Sequence, residues 1–186
     1  DIGSSKSLKI SPHLLKNNFT KPAVFLDRDG VINHDYGYVY KINRFKIKNN
    51  VLKALKFISN KGYYIFIVTN QAGIAKKKFK LSDFEKLHIY LKSKLSNYNV
   101  FLDDVKFSPF HPSSKIKKYK INSQYRKPGN LMIKEIFKNW DIDHNKSFMI
   151  GDKKTDKLAA LKSNLYFEYD NDDLLKQFRK IYRKLN

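Results

Sequence analysis

The stretch FLDRDGVIN, residues 25–33, sets two carboxylates two positions apart directly behind a short apolar run. Residues 23–26, AVFL, have the apolar continuity of a buried strand. Asp27 and Asp29 stand where that strand ends, with Arg28 between them and Gly30 after them. Side chains at i and i+2 of an extended segment share a face, and a glycine lets the chain turn there, so both carboxylates can converge on one small ligand. A lone D-x-D also fits an ordinary turn. Its meaning depends on what the rest of the chain brings beside it.

The flanking sequence alternates between two periods. Apolar residues at 51, 52, 54, 55, 57 and 58 have helical spacing, and Gly62 suits the helix end. YYIFIV at 63–68 is a continuous β-branched and aromatic run, the pattern of a strand covered on both faces. Ser82 followed by Glu85 predicts a capping box that opens a helix through Ser96. Short strands follow at 105–107, 147–150 and 166–169, and helices at 131–140, 155–162 and 173–185. Strands alternating with helices predict an α/β fold, a parallel sheet with helices on both faces. In such folds ligands bind at the carboxyl ends of the strands, where Asp27, Thr69, Ser108 and Gly151–Asp152 fall. The chain reads as one domain over 22–186 after a loose N-terminal arm at 1–21, without internal repeats.

Composition narrows the classes. With 41% hydrophobic residues in 186, a sizeable core is within reach. No apolar run approaches the roughly 20 residues needed to span a bilayer. The N-terminus lacks the compact apolar core of a secretory signal, so the expectation is a cytoplasmic monomer with no membrane partner. Without cysteine, disulfides, thiol catalysis and thiolate metal sites are excluded. The formal charge of +21, from 38 Lys and Arg against 17 Asp and Glu, has two readings. One is attraction to nucleic acid or a phosphorylated metabolite. The other is a compositional bias toward Lys, Asn, Ile, Phe and Tyr, favoured because lysines occupy nearly every segment. KKKFK at 76–80 and KIKKYK at 115–120 remain candidate anion-facing loops.

Four strand ends brought together would present Asp27 and Asp29, Thr69 and Asn70, Arg126 and Lys127, and Asp152 with Asp156. Carboxylates hold a hard cation such as Mg²⁺, which keeps some waters and takes phosphate oxygens. A hydroxyl, an amide and a lysine are donors for the remaining phosphate oxygens. Carboxylate, metal and cationic donor together describe a phosphoryl-transfer site. Each residue also has a plainer reading: Thr69–Asn70 as a turn cap, Lys127 as a surface lysine, Asp156 as the charged first turn of a helix. The five histidines show no ligand spacing, and His34 reads as a surface residue.

FLDRDGVIN, VTNQAGIA, RKP and MIGDKKTD, in that order, resemble the four motifs of the haloacid dehalogenase superfamily of phosphatases. DRDGVIN with DYGYV, TNQAGIAKKKF and RKP is similar, more narrowly, to D-glycero-D-manno-heptose 1,7-bisphosphate phosphatases, relatives of the histidinol-phosphate phosphatases. The likeness runs from about residue 23 to 161. It implies a Rossmann-like fold without a large cap and an aspartyl-phosphate mechanism. Asp27 would be the nucleophile and Asp29 the acid and base. Mg²⁺ would rest on the Asp27 carboxylate, the Asp29 backbone carbonyl and Asp152. Thr69 and Lys127 would grip the phosphoryl group, Asn70 and Arg126 would touch substrate, and Lys153 and Asp156 would lie just outside the metal's ligands.

The chain departs from that family in one loop. Many members fold the segment before RKP around zinc with Cys-x-His and Cys-x-Cys. Here the four positions read Ser108, Phe110, Ser123 and Tyr125, none a soft ligand, so no structural zinc is expected. Aromatic packing of Phe110, Tyr119 and Tyr125 is the expected substitute. After RKP the family's PGM reads GNLM. The leading expectation is a Mg²⁺-dependent phosphatase acting on the 7-phosphate of a heptose 1,7-bisphosphate, for surface-glycan synthesis. The alternatives are a phosphatase of histidinol phosphate or of a nucleic-acid 3′-phosphate, and a catalytically silent binding protein of the same fold.

Overall fold

In a computed structural model of the chain, residues 20–186 are described. The expected arm at 1–21 lies outside them except for its last two residues, and Lys21 already opens a strand. That strand, β1 (Lys21–Leu26), is the centre of the sheet because its AVFL segment has no accessible surface on either face. It pairs in parallel with β2 (Tyr64–Asn70) on one side and β4 (Ile142–Gly151) on the other. β3 (Asp104–Ser108) and β5 (Tyr166–Tyr169) form the edges, giving the order β3-β2-β1-β4-β5, all parallel.

Alternation along β1 divides the core. Val24 and Leu26 face helices α1 (Val51–Asn60), α3 (Leu81–Ser96) and α6 (Leu174–Leu185). Ala23 and Phe25 face α4 (Leu131–Asn139) and α5 (Lys154–Leu161). A short helix, α2 (Ala72–Ala75), follows β2 directly. Fully burying each large apolar side chain contributes roughly 1.5–3 kcal/mol, which makes these two layers the main stabilising term. Residues 27–50 and 109–130 hold only single 3₁₀ turns, so no large cap covers the strand ends. No helix among the described residues is long and apolar enough to cross a membrane.

Three local features differ from the sequence expectation. The cap of α3 is not Ser82 with Glu85: the Lys80 amide donates to Asp83 Oδ2 at 2.8 Å, and the helix starts at Leu81. Asp at the third helical position is short enough to reach back to that amide, and it wins over the hydroxyl. β4 begins five residues before the expected 147, with a register irregularity opposite Pro22–Val24. Ser147 Oγ accepts from the Ala23 amide at 2.8 Å and donates to Asp143 O, which ties the irregular stretch to the sheet. α5 and β3 each extend a residue beyond their expected starts, at Lys154 and Asp104.

His88 on α3 is buried against the Phe84 ring, 4.0 Å between centroids, and its Nδ1 donates to Phe84 O at 3.0 Å. Its Nε2 is buried without a hydrogen-bond partner. Burial, and then the charge of Arg28, hold its pKa at about 4 against an ordinary 6.5. Between those values the unfolded chain binds the extra proton, so this stability is present at neutral pH and fades as pH falls from 6.5 toward 4. Unfolding titrated against pH should therefore lose on the order of 3 kcal/mol more in the parent than in His88→Leu across that window. Equal slopes would remove the effect. In the other layer, Phe66 meets Phe25 at 5.3 Å and Trp140 at 5.4 Å. Phe66→Ala should cost about 3–5 kcal/mol in urea denaturation.

Candidate active site

The centre of the site is a lysine without water. Lys127 is 1% exposed, and its Nζ lies 2.9 Å from Asp27 Oδ1 and 2.6 Å from Asp156 Oδ1. The same Nζ donates to Val68 O at 2.7 Å. Burial works against the charge, yet Asp27 and Asp156 hold its pKa above the ordinary lysine range. The backbone of Lys127 is fixed by Asn70, whose Oδ1 accepts from Lys127 N and whose Nδ2 donates to Lys127 O, both at 3.0 Å. Asn70 therefore spends its amide on holding Lys127 in place. Asn70 also lines the cleft, where its contact with substrate is expected.

A third carboxylate completes the cluster. Asp27, Asp152 and Asp156 bring one oxygen each within 4.8 Å of one another. Asp152 Oδ1 is buried with no hydrogen-bond partner. Burial, followed by the charges of Asp27 and Asp156, pushes the Asp152 carboxyl up to about 6 despite Lys153. Three acids around one internal ammonium leave excess negative charge, and the donors are oxygens only. A divalent cation of the Mg²⁺ type fits that set. Gly30 makes the arrangement possible in two ways. Its φ is +96°, and a Cβ there would run into Asp152 Oδ2. A Cβ on Gly151 would likewise meet Asp156.

The expected ligands are the Asp27 carboxylate, the Asp29 backbone carbonyl and Asp152. Asp156, expected just outside the ligands, belongs to the carboxylate cluster, whereas the Asp29 side chain does not. Asp156 also caps α5, its Oδ2 accepting from the Lys153 amide at 2.9 Å. The Asp29 carboxylate turns instead to Arg28, Asn33 and Gln71. It still borders, with Asp27, Thr69, Arg126, Lys127 and Lys153, a cleft of about 350 Å³. Thr69 Oγ1 accepts from Gln71 Nε2 at 3.0 Å. Lys153 reaches across the rim to Asp35 at 3.0 Å and to Asp152 at 3.4 Å. Arg28 and Gln71, both buried, were missed in the sequence. Neither residue type carries a local sign of these contacts, which join segments distant in the chain.

The loop before Arg126 is held by rings. Phe110 meets Tyr119 edge-on at 6.0 Å and Tyr125 at 6.4 Å. Arg126 Nη1 donates to Phe110 O at 3.4 Å, and Tyr125 Oη donates to Glu135 Oε2 at 2.8 Å. Lys106 pairs with the same Glu135 at 2.6 Å, anchoring the loop to β3 and α4. Ser108 is buried at the end of β3 and Ser123 Oγ accepts from the Tyr125 amide at 3.0 Å.

Known proteins resemble this chain in sequence and in fold. The family model described as polynucleotide kinase 3 phosphatase matches residues 27–176. A Rhodopseudomonas palustris protein named D-glycero-beta-D-manno-heptose-1,7-bisphosphate 7-phosphatase is 36% identical over 155 residues, 83% of this chain and 86% of that one. A HAD-like phosphatase structure from Mesorhizobium loti superposes with a TM-score of 0.79 at 26% identity, covering 90% of this chain and 88% of that one. The D,D-heptose 1,7-bisphosphate phosphatase of B. bronchiseptica, complexed with magnesium and phosphate, shares the fold with a TM-score of 0.78 at 19% identity, over 88% of this chain and 99% of that one. The chain belongs to the polynucleotide kinase 3 phosphatase family of haloacid dehalogenase-like phosphatases.

Proposed function

We propose that the chain is a Mg²⁺-dependent phosphatase that removes the 7-phosphate of D-glycero-D-manno-heptose 1,7-bisphosphate. The observation that carries this reading is the Lys127 ammonium buried between Asp27 and Asp156 in the lining of the cleft. The similarity to named heptose bisphosphate phosphatases supports the substrate. Asp27 would attack phosphorus while the bond to the sugar oxygen breaks and Asp29 gives that oxygen its proton. Water would then attack the aspartyl-phosphate, with Asp29 taking its proton and the Asp27 oxygen leaving phosphorus. The Thr69 hydroxyl and the Lys127 ammonium would grip the phosphoryl oxygens, and Asn70 and Arg126 would meet the rest of the substrate. Asp27, Asp152 and the Asp29 carbonyl would hold Mg²⁺, which when bound supplies positive charge to the phosphoryl oxygens. Asp156 would steady Lys127, and Lys153 would close the rim.

An open cleft shaped by short loops suits a small phosphorylated sugar. In this reading the protein is a cytoplasmic monomer that feeds nucleotide-activated heptose to lipopolysaccharide or another surface glycan. In this reading it carries no structural zinc, because Ser108, Phe110, Ser123 and Tyr125 stand where the sulfur and imidazole ligands would be.

A second reading, cleavage of a nucleic-acid 3′-phosphate, is favoured by one observation. Lys77, Lys78, Lys80 and Lys118 line a groove with Phe79 and Tyr40, whose rings stack at 5.2 Å. Basic side chains beside aromatic rings suit a single strand. A histidinol-phosphate phosphatase has no such feature in its favour. The silent-binder reading is opposed by the complete set of Asp27, Asp29, Lys127 and Asp152.

Phosphate release compared across heptose 1,7-bisphosphate, histidinol phosphate and a 3′-phosphorylated oligonucleotide should favour the first, with a shallow salt dependence. Preference for the oligonucleotide, weakening steeply with salt, would replace the substrate assignment. Asp27→Asn should abolish turnover of every ester, and retained turnover would remove the nucleophile assignment. Protein purified without added metal should contain far less than one zinc per chain by elemental analysis. Stoichiometric zinc would refute the ring-closed loop.

A further inference from the structure

Arg28 is among the largest fully buried side chains of the protein, at 1% exposure, and the chemistry above does not use it. Just past the end of β1, Asp27 turns toward Lys127, while Arg28 lies against Phe84 of α3. There its guanidinium lies 5.7 Å over the Phe84 ring. From that side it reaches forward to Asp29. Nη2 lies 2.9 Å from Asp29 Oδ1 and 2.7 Å from Oδ2, and Nε lies 3.2 Å from Oδ1. Nη2 also donates to Val39 O at 2.8 Å and to Gln71 Oε1 at 3.4 Å.

The other donors to Asp29 are buried and fixed in turn. Asn33 Nδ2 gives to Asp29 Oδ1 and to His34 O, both at 2.9 Å. Gln71 Nε2 gives to Asp29 Oδ2 at 2.9 Å and to Thr69 Oγ1 at 3.0 Å, so one amide spaces the carboxylate from the hydroxyl beside the phosphate site. A planar fork on a carboxylate fixes orientation, not charge alone. Loop 34–46, β1 and the turn after β2 all meet at this guanidinium.

We propose that Arg28 is a positioning residue for proton transfer: with Gln71 and Asn33 it sets the orientation of Asp29, and it leaves the grip on the phosphoryl group to Lys127. The proposal rests on the phosphatase reading above. When the phosphorus–oxygen bond breaks, its electron pair goes to the leaving oxygen, which takes the Asp29 proton and departs as an alcohol. Asp29 is left as a carboxylate in the fork of Arg28. An alkoxide is a poor leaving group and depends on that proton, whereas p-nitrophenolate departs with little help. Misplacing Asp29 should therefore harm alkyl esters selectively. Loss of packing alone should harm both esters alike.

The test compares kcat/KM for heptose 1,7-bisphosphate and for p-nitrophenyl phosphate in the parent, Arg28→Lys and Arg28→Met, with thermal unfolding followed for each. Arg28→Lys keeps the charge and stem but loses the fork, so it serves if Arg28→Met does not fold. For the sugar ester, kcat/KM should fall about 10- to 100-fold in Arg28→Lys, through kcat and not KM, a fraction of what general acid catalysis contributes. The aryl ester should change less than about threefold. Equal losses on the two esters, or no loss on either, would overturn the positioning role. A parent protein that hydrolyses neither ester would overturn the phosphatase reading and this proposal with it.

Discussion

The arrangement at the strand ends depends on one buried ammonium. Moving a lysine charge out of water costs several kcal/mol, and only close, well-aimed acceptors offset it. Lys127 finds Asp27 from the end of β1, Val68 O from β2 and Asp156 from the first turn of α5. Four separate segments are thus drawn to one point, because leaving any partner out would strand a charge in the interior. Such pairs are weak sources of net stability but strong constraints on geometry. A phosphoryl-transfer site needs the second more than the first.

The same cluster is over-supplied with negative charge. Lys127 is shared by two carboxylates, and a third, Asp152, carries a buried oxygen without a partner and a pKa raised to about 6. An interior that holds carboxylates this close is built for added positive charge, from a divalent cation. The two glycines beside it follow from the same crowding. Gly30 and Gly151 have no side chain because Asp152 and Asp156 occupy the space. The glycine of the first motif is thus as much a matter of volume as of turning.

Around this fixed centre the loops are assembled by different means. Rings close the segment before Arg126, and a guanidinium gathers loop 34–46 to the first motif through Val39 O. The rings shape the rim of the cleft, and the guanidinium also holds Asp29 at its edge. Substrate choice in a fold without a large cap rests on such short segments.

Much of the fold was legible because parallel strands buried on both faces are written as unbroken apolar runs, AVFL and YYIFIV among them. The carboxylate, hydroxyl and lysine at the strand ends were legible as residue types in order, since phosphoryl transfer requires those types. What the one-dimensional text could not decide is environment. Lys127 looks like any of the chain's many lysines until Val68, 59 positions away, supplies its carbonyl. Asp156 looked like a helix cap and is one, but the fold also turns its second oxygen to Lys127. Arg28 and Gln71 carry no local signal of their contacts, and the cap of α3 hung on which of two nearby acids reached an amide first. Sequence alone determined the elements, their order and the chemical kinds at their ends. Tertiary structure decided which charges lose their water, because burial is a property of neighbours distant in the chain.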